Sequence, residues 1–290
     1  MSLFLDLRTA DSGGDLAKSV AIARGTNRGN YRSATLAELA QTIQGRQVLV
    51  AVHGFNVDRP TGIEHLSNWE GLLQLPQPAA FVGVLWPGDS VWAHGLDYPE
   101  EPRVANDAGA LLAPFIDAHF GGAAGISYAS HSLGARVVLK TISLMTEPVR
   151  RAVLMAGAID DNCLNDEFAD AVRKIGQVSV LSSHKDVVLA LAFPLGNFLG
   201  GILTIGHPWW HGALGRTGPV QPKPANFRGP FAIPDDWSYG HGDYLHVDQP
   251  SPAKVPLPAD VPPDPRPLPA NGDQGWKETW SAAVVSTRFS

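Results

Sequence analysis

A chain of 290 residues with 44% hydrophobic and 17% charged residues has the makings of a globular protein with a large core, and is no disordered chain. A net charge of −6 and the lack of any Lys/Arg run argue against a nucleic-acid partner. The one cysteine, Cys163, excludes an internal disulfide and suits a reducing compartment.

The opening "MSLFLDLRTADSGGD" does not read as a secretory signal, because its apolar part is short and Asp6 interrupts it. A cytoplasmic location is the resulting expectation. The run "QVLVAVHGF" (47–55) predicts a buried strand ending in glycine. Residues 62–74 carry Leu66, Trp69, Leu72 and Leu73 at helical spacing. "AAFVGVLWPG" (79–88) predicts the next strand, and 103–120 a helix containing Pro114. A strand at 125–130 leads to a helix at 133–145, a strand at 151–157 to a helix near 163–174, and a strand follows at 177–183. Strands alternating with helices at this spacing predict βαβ units. The expected fold class is therefore α/β, a mostly parallel central sheet with helices on both faces, in a single domain over 1–290.

Beyond residue 186 the pattern is irregular. The stretch "VVLALAFPLGNFLGGILTI" (187–205) is uncharged and just reaches the length that spans a bilayer, but Pro194, Asn197 and three glycines oppose a continuous helix. No integral membrane span is expected. Residues 187–240 carry Phe193, Phe198, Trp209 and Trp210, which are expected to bind the substrate as the wall or lid of an apolar pocket; an ordinary extension of the core is the competing reading. His207 and His211 stand four apart, but Pro208 occupies the place of the glutamate in a zinc helix, so no metal is expected. The segment 249–271 holds nine prolines and predicts an extended surface loop. Residues 272–285 predict a closing helix with Trp276, Trp280 and Val284 on one stripe.

The centre of the chain carries chemistry. "SHSLG" (130–134) lies between a predicted strand and a predicted helix. A nucleophile on such a turn is pushed out of the backbone surface and faces free N–H groups at the helix start. The turn needs small flanks, which the pattern G-x-S-x-G expresses; here Ser130 replaces the first glycine and Ser132 takes the central place. "HGFN" (53–56) ends an earlier strand where a main-chain N–H can meet a developing oxyanion. The N–H groups of Phe55 and Leu133 are the expected donors, with His53 bracing the loop. "VLSSHKD" places Asp186 at a strand's carboxyl end, as an acid or as a helix cap, with Asp160 and Asp161 as rival acids. "WSYGHGDYLH" offers His241 as base, with His246 as rival. The order Ser132, Asp186, His241 is the one this architecture uses.

With these motifs in place the chain resembles the α/β-hydrolase superfamily. More narrowly it is similar to a bacterial serine-esterase-like branch with an H-G-F-N loop (His53–Asn56), a W-P strand end (Trp86-Pro87), an S-H-S-x-G elbow (Ser130–Gly134), an S-x-x-D acid loop and a late H-G-D-Y (His241–Tyr244). The resemblance covers roughly residues 45–245. It implies a Ser-His-Asp triad, an ester or lipid substrate of small-molecule size, and no cofactor. Two other functions share these features: a non-catalytic hydrolase-fold binding protein, and an acyltransferase using the same triad.

Overall fold

The computed structural model of the chain describes residues 1–89, 101–190, 212–228, 231–245 and 276–289. Nine strands form one sheet: β1 (Ser2–Arg8), β2 (Leu16–Gly25), β3 (Arg32–Ser33), β4 (Gln47–Val52), β5 (Ala79–Leu85), β6 (Gly125–His131), β7 (Val149–Met155), β8 (Ile175–Ser182) and β9 (Phe231–Ala232). Their order is β3-β2-β1-β5-β4-β6-β7-β8-β9. β2 runs antiparallel to both its neighbours, and every other pairing is parallel.

The central strands are continuous apolar runs because helices cover both their faces. β5 is buried along its whole length, and β4 from Val48 onward. Between the strands run α1 (Leu36–Ile43), α2 (Arg59–Leu72), α3 (Glu101–His119), α4 (Gly134–Leu144) and α5 (Ala169–Lys174). α3 and α4 pack together, and so do α2 and the closing helix Trp276–Phe289. Right-handed crossovers put these two pairs on opposite faces of the sheet. α2 starts three residues before its apolar periodicity does. Asp58 accepts the Thr61 N–H at 2.8 Å and Pro60 sits in the first turn, so the cap and not the stripe sets the start. α3 continues through Pro114.

The N-terminal fifth departs from the sequence reading, which assigned it no elements. β1 is buried at every position and pairs with β5 near the middle of the sheet. Its polar residues are neutralised in place. Asp6 accepts from the Tyr31 hydroxyl at 2.6 Å and forms an ion pair with Arg59 at 2.8 Å, while the fully buried Arg8 side chain reaches the ends of other strands.

The substrate-binding residues expected at Phe193, Phe198, Trp209 and Trp210 lie outside the described residues, as do His207, His211, His246 and the Pro-rich 249–271. β9 extends the sheet beside β8, Leu214 and Trp237 are buried, and the Leu214 N–H bonds to the Ile159 carbonyl at 2.8 Å. None of the described helices is long and apolar enough to cross a membrane.

Candidate active site

β6 ends in the stretch that the sequence marked out. Ser132 follows directly, with φ +53°. For a residue with a Cβ this left-handed conformation is uncommon and strained, and it persists here because the surroundings hold it. The Ser132 N–H bonds to the Met155 carbonyl at 2.9 Å, and its own carbonyl accepts the Ala158 N–H at 3.2 Å, tying the turn to the end of β7. Gly134 shows why the pattern ends in glycine. A Cβ there would stand 2.4 Å from the His53 carbonyl oxygen, so only glycine lets α4 come this close to β4.

Ser130 is the buried flank. It ends within the β4–β6–β7 ladder, and its hydroxyl is sealed from solvent without a hydrogen-bond partner. Ser132 alone of the two serines meets a base. His241 Nε2 lies 2.8 Å from Ser132 Oγ, and His241 Nδ1 lies 2.8 Å from Asp186 Oδ2. The carboxylate must accept at Nδ1, so the proton sits there and Nε2 is free to accept from the serine hydroxyl. Asp186 is fully buried and takes both roles considered for it. Its Oδ1 accepts the Leu189 N–H at 2.9 Å at the start of a helical turn, while Oδ2 serves the histidine. A buried carboxylate needs this full set of partners to stay charged without a large desolvation cost. The rival Asp161 is engaged elsewhere, accepting the Gly212 N–H at 3.1 Å.

The HGFN loop presses on the elbow from the β4 side. A Cβ at Gly54 would stand 2.9 Å from Ser132 Cβ and 2.8 Å from His131 Nδ1. Among the described residues neither the Phe55 N–H nor the Leu133 N–H has a hydrogen-bond partner, while the next N–H, that of Asn56, is bound to the Gly88 carbonyl at 2.7 Å. His53 braces the loop. Its Nε2 accepts the Trp86 N–H at 3.3 Å, so Nδ1 carries the proton and donates to the Gly54 carbonyl at 2.8 Å. The Trp86 indole N–H returns to the His53 carbonyl at 2.9 Å, and the two rings stack.

Three supports escaped the sequence reading. His131 Nε2 donates to the His241 carbonyl at 2.7 Å, so the residue beside Ser132 holds the His241 backbone. Its place inside the SHS motif could have signalled this. Arg8 donates to the Val57 carbonyl at 3.1 Å and the Trp86 carbonyl at 2.9 Å, and pairs with Asp89, so one buried guanidinium fastens the loops after β4 and β5. Tyr244 packs 6.0 Å from the His131 ring. Burial, and then the nearby Asp186 and Asp243 carboxylates, push its phenol well above the ordinary range, so it stays neutral beside the acid. Cys163 is no rival nucleophile, because burial raises its thiol and withholds the thiolate. Among the described residues no group of three His, Cys, Asp or Glu side chains could hold a metal ion.

Residues 31–206 match the model of a family described as an alpha/beta hydrolase of unknown function (DUF900). Among solved structures the chain is similar to an uncharacterized protein from Bacillus cereus ATCC 10987, with 14% identity, a TM-score of 0.36, and coverage of 57% of this chain and 56% of that one. It is also similar to esterase PE8, with 19% identity, a TM-score of 0.33, and coverage of 53% and 80%. A hyperthermophilic esterase from the archaeon Pyrobaculum calidifontis gives 15% identity, a TM-score of 0.32, and coverage of 63% and 71%. The chain thus spans little more than half the length of the Bacillus protein. No curated protein matches it in sequence.

Proposed function

Because this chain belongs to the alpha/beta-hydrolase family whose model spans more than half of its residues, we propose that it is a serine hydrolase that cleaves carboxylic esters through an acyl-enzyme. The observation that carries the reading is the unbroken relay from Ser132 Oγ through His241 to Asp186, 2.8 Å at each step. Three chain segments converge to make it, and a turn cap or a core polar cluster needs no such order.

In this reading Ser132 Oγ attacks the ester carbonyl as its proton passes to His241 Nε2. The imidazolium is stabilised by Asp186. The N–H groups of Phe55 and Leu133 take the oxyanion, each contributing about 3–4 kcal/mol to the barrier reduction. Collapse of the tetrahedral intermediate expels the alcohol, which leaves with the proton from Nε2. Water then attacks the acyl-enzyme, giving up its proton to the same nitrogen, and release of the acid restores Ser132.

Fluorophosphonate labelling with peptide mapping tests the assignment. The adduct is expected on Ser132, with hydrolysis of p-nitrophenyl esters lost in Ser132→Ala. An adduct on Ser130, or none on the folded protein, defeats the proposal.

A further inference from the structure

A cavity of mixed polar and apolar lining lies at the carboxyl ends of β8 and β9. It encloses about 140 Å³ and is lined by Ser182, His184, Arg216, Thr217, Lys223 and Ile233, among others. The Arg216 side chain makes no hydrogen bond or ion pair with any described residue, and its Nε is shut away from solvent. Lys223 has no carboxylate partner among the described residues; its ammonium rests 5.5 Å from the centre of the Phe227 ring. Each of the two carboxylates that touch the lining is met by a residue of the lining. Asp235 faces His184 and Lys185 at 3.8 Å each, and Asp161 takes the Gly212 N–H at 3.1 Å and the Thr217 hydroxyl at 3.5 Å.

A buried guanidinium N–H with no partner among the described residues is costly unless something completes it. Two permanent cations, an imidazole and the Ser182 hydroxyl around so small a space match the acceptors of a phosphate dianion. A carboxylate would need only one guanidinium fork. We propose that this cavity binds a phosphate or phosphomonoester group, with Arg216 and Lys223 as its principal cations. Ser182 and His184 belong to the same segment as Asp186, so the bound anion would sit against the loop that holds the acid. The site does not depend on the ester-cleaving reading, because no group in it takes part in that chemistry.

Isothermal titration of the intact protein with inorganic phosphate, glycerol 3-phosphate and acetate tests this. Both phosphates are expected to bind, and acetate to bind at least tenfold more weakly. Arg216→Gln is expected to weaken phosphate binding by roughly tenfold or more and Lys223→Gln by several-fold. Fluorophosphonate labelling of Ser132 should persist in both variants as the check on folding, and Ser132→Ala should bind phosphate like the parent. Absence of phosphate binding, equal affinity for acetate, or binding indifferent to both substitutions would overturn the proposal.

Discussion

His53, Trp86 and Ser132 follow three adjacent parallel strands, whereas Asp186 and His241 sit on loops toward the other end of the sheet that side chains must hold in place. On the first side the backbones themselves touch: Gly54 lies against Ser132, and Gly134 lies against the His53 carbonyl. On the second side the base loop hangs on tethers. Ser183 Oγ donates to the Tyr239 carbonyl at 2.8 Å, and His131 donates to the His241 carbonyl. Tyr239 packs edge-on against Tyr244, Trp276 and Trp280. From the closing helix, Lys277 reaches the Ser238 carbonyl at 2.8 Å and Asp243 at 2.6 Å. A half-site made by steric contact should fail abruptly when its glycines change. One made by separate tethers should weaken by degrees.

The sharpest break is to cut the relay where the halves meet. His241→Ala should lower kcat on an activated ester by on the order of ten-thousand-fold, with circular dichroism and Tm close to the parent. A loss of tenfold or less would mean that His241 is not the base. The steric half comes next. Gly54→Ala must displace Ser132 Cβ or the His131 ring, because the new methyl would stand under 3.0 Å from both. A kcat loss of roughly a hundredfold is expected, since small displacements at a reacting centre have that size of effect. Full activity in this variant would show that the loop does not need its close approach to the elbow.

The same contrast decides what could be read from sequence. The steric half is local, so its requirements are written in short motifs: small residues at 130 and 134, an apolar strand before each turn, a Gly after His53. Asp186 and His241 are marked by weaker signals, a strand's carboxyl end, a loop motif and their order along the chain, because the contact that joins them spans 55 residues. The helix-capping role of Asp186 was visible as an alternative, and nothing in the sequence says that one carboxylate can serve both with its two oxygens. β1 was illegible because Asp6 and Arg8 interrupt its apolar run, and the partners that make their burial tolerable lie at Tyr31, Arg59, Val57 and Trp86. α1, by contrast, was legible in principle. Thr35 and Glu38 form a capping box ahead of Leu39 and Ile43. β9, two residues long, carries no periodicity to detect.

The smallest effect is expected at the outermost tether. Lys277 is only partly exposed, and its ammonium joins the backbone at Ser238 to the Asp243 carboxylate, which also accepts the Gly240 N–H at 2.8 Å. These bonds bracket His241 on both sides. An ion pair this near the surface contributes at most about 1 kcal/mol to folding, so Lys277→Met should move Tm by only a few degrees. Its effect on the base is of another kind: with the bracket loosened, His241 spends less time aligned with Ser132. The expected result is a several-fold fall in kcat with KM little changed, the signature of an interaction that matters at the reacting step and not in substrate binding. Salt provides an internal control. Raising ionic strength should lower the parent's kcat in the same direction by weakening the Lys277–Asp243 pair, and should leave Lys277→Met indifferent. If the variant loses stability and activity in proportion, with the same salt response as the parent, then the closing helix supports the fold as a whole and the base loop draws nothing particular from this lysine.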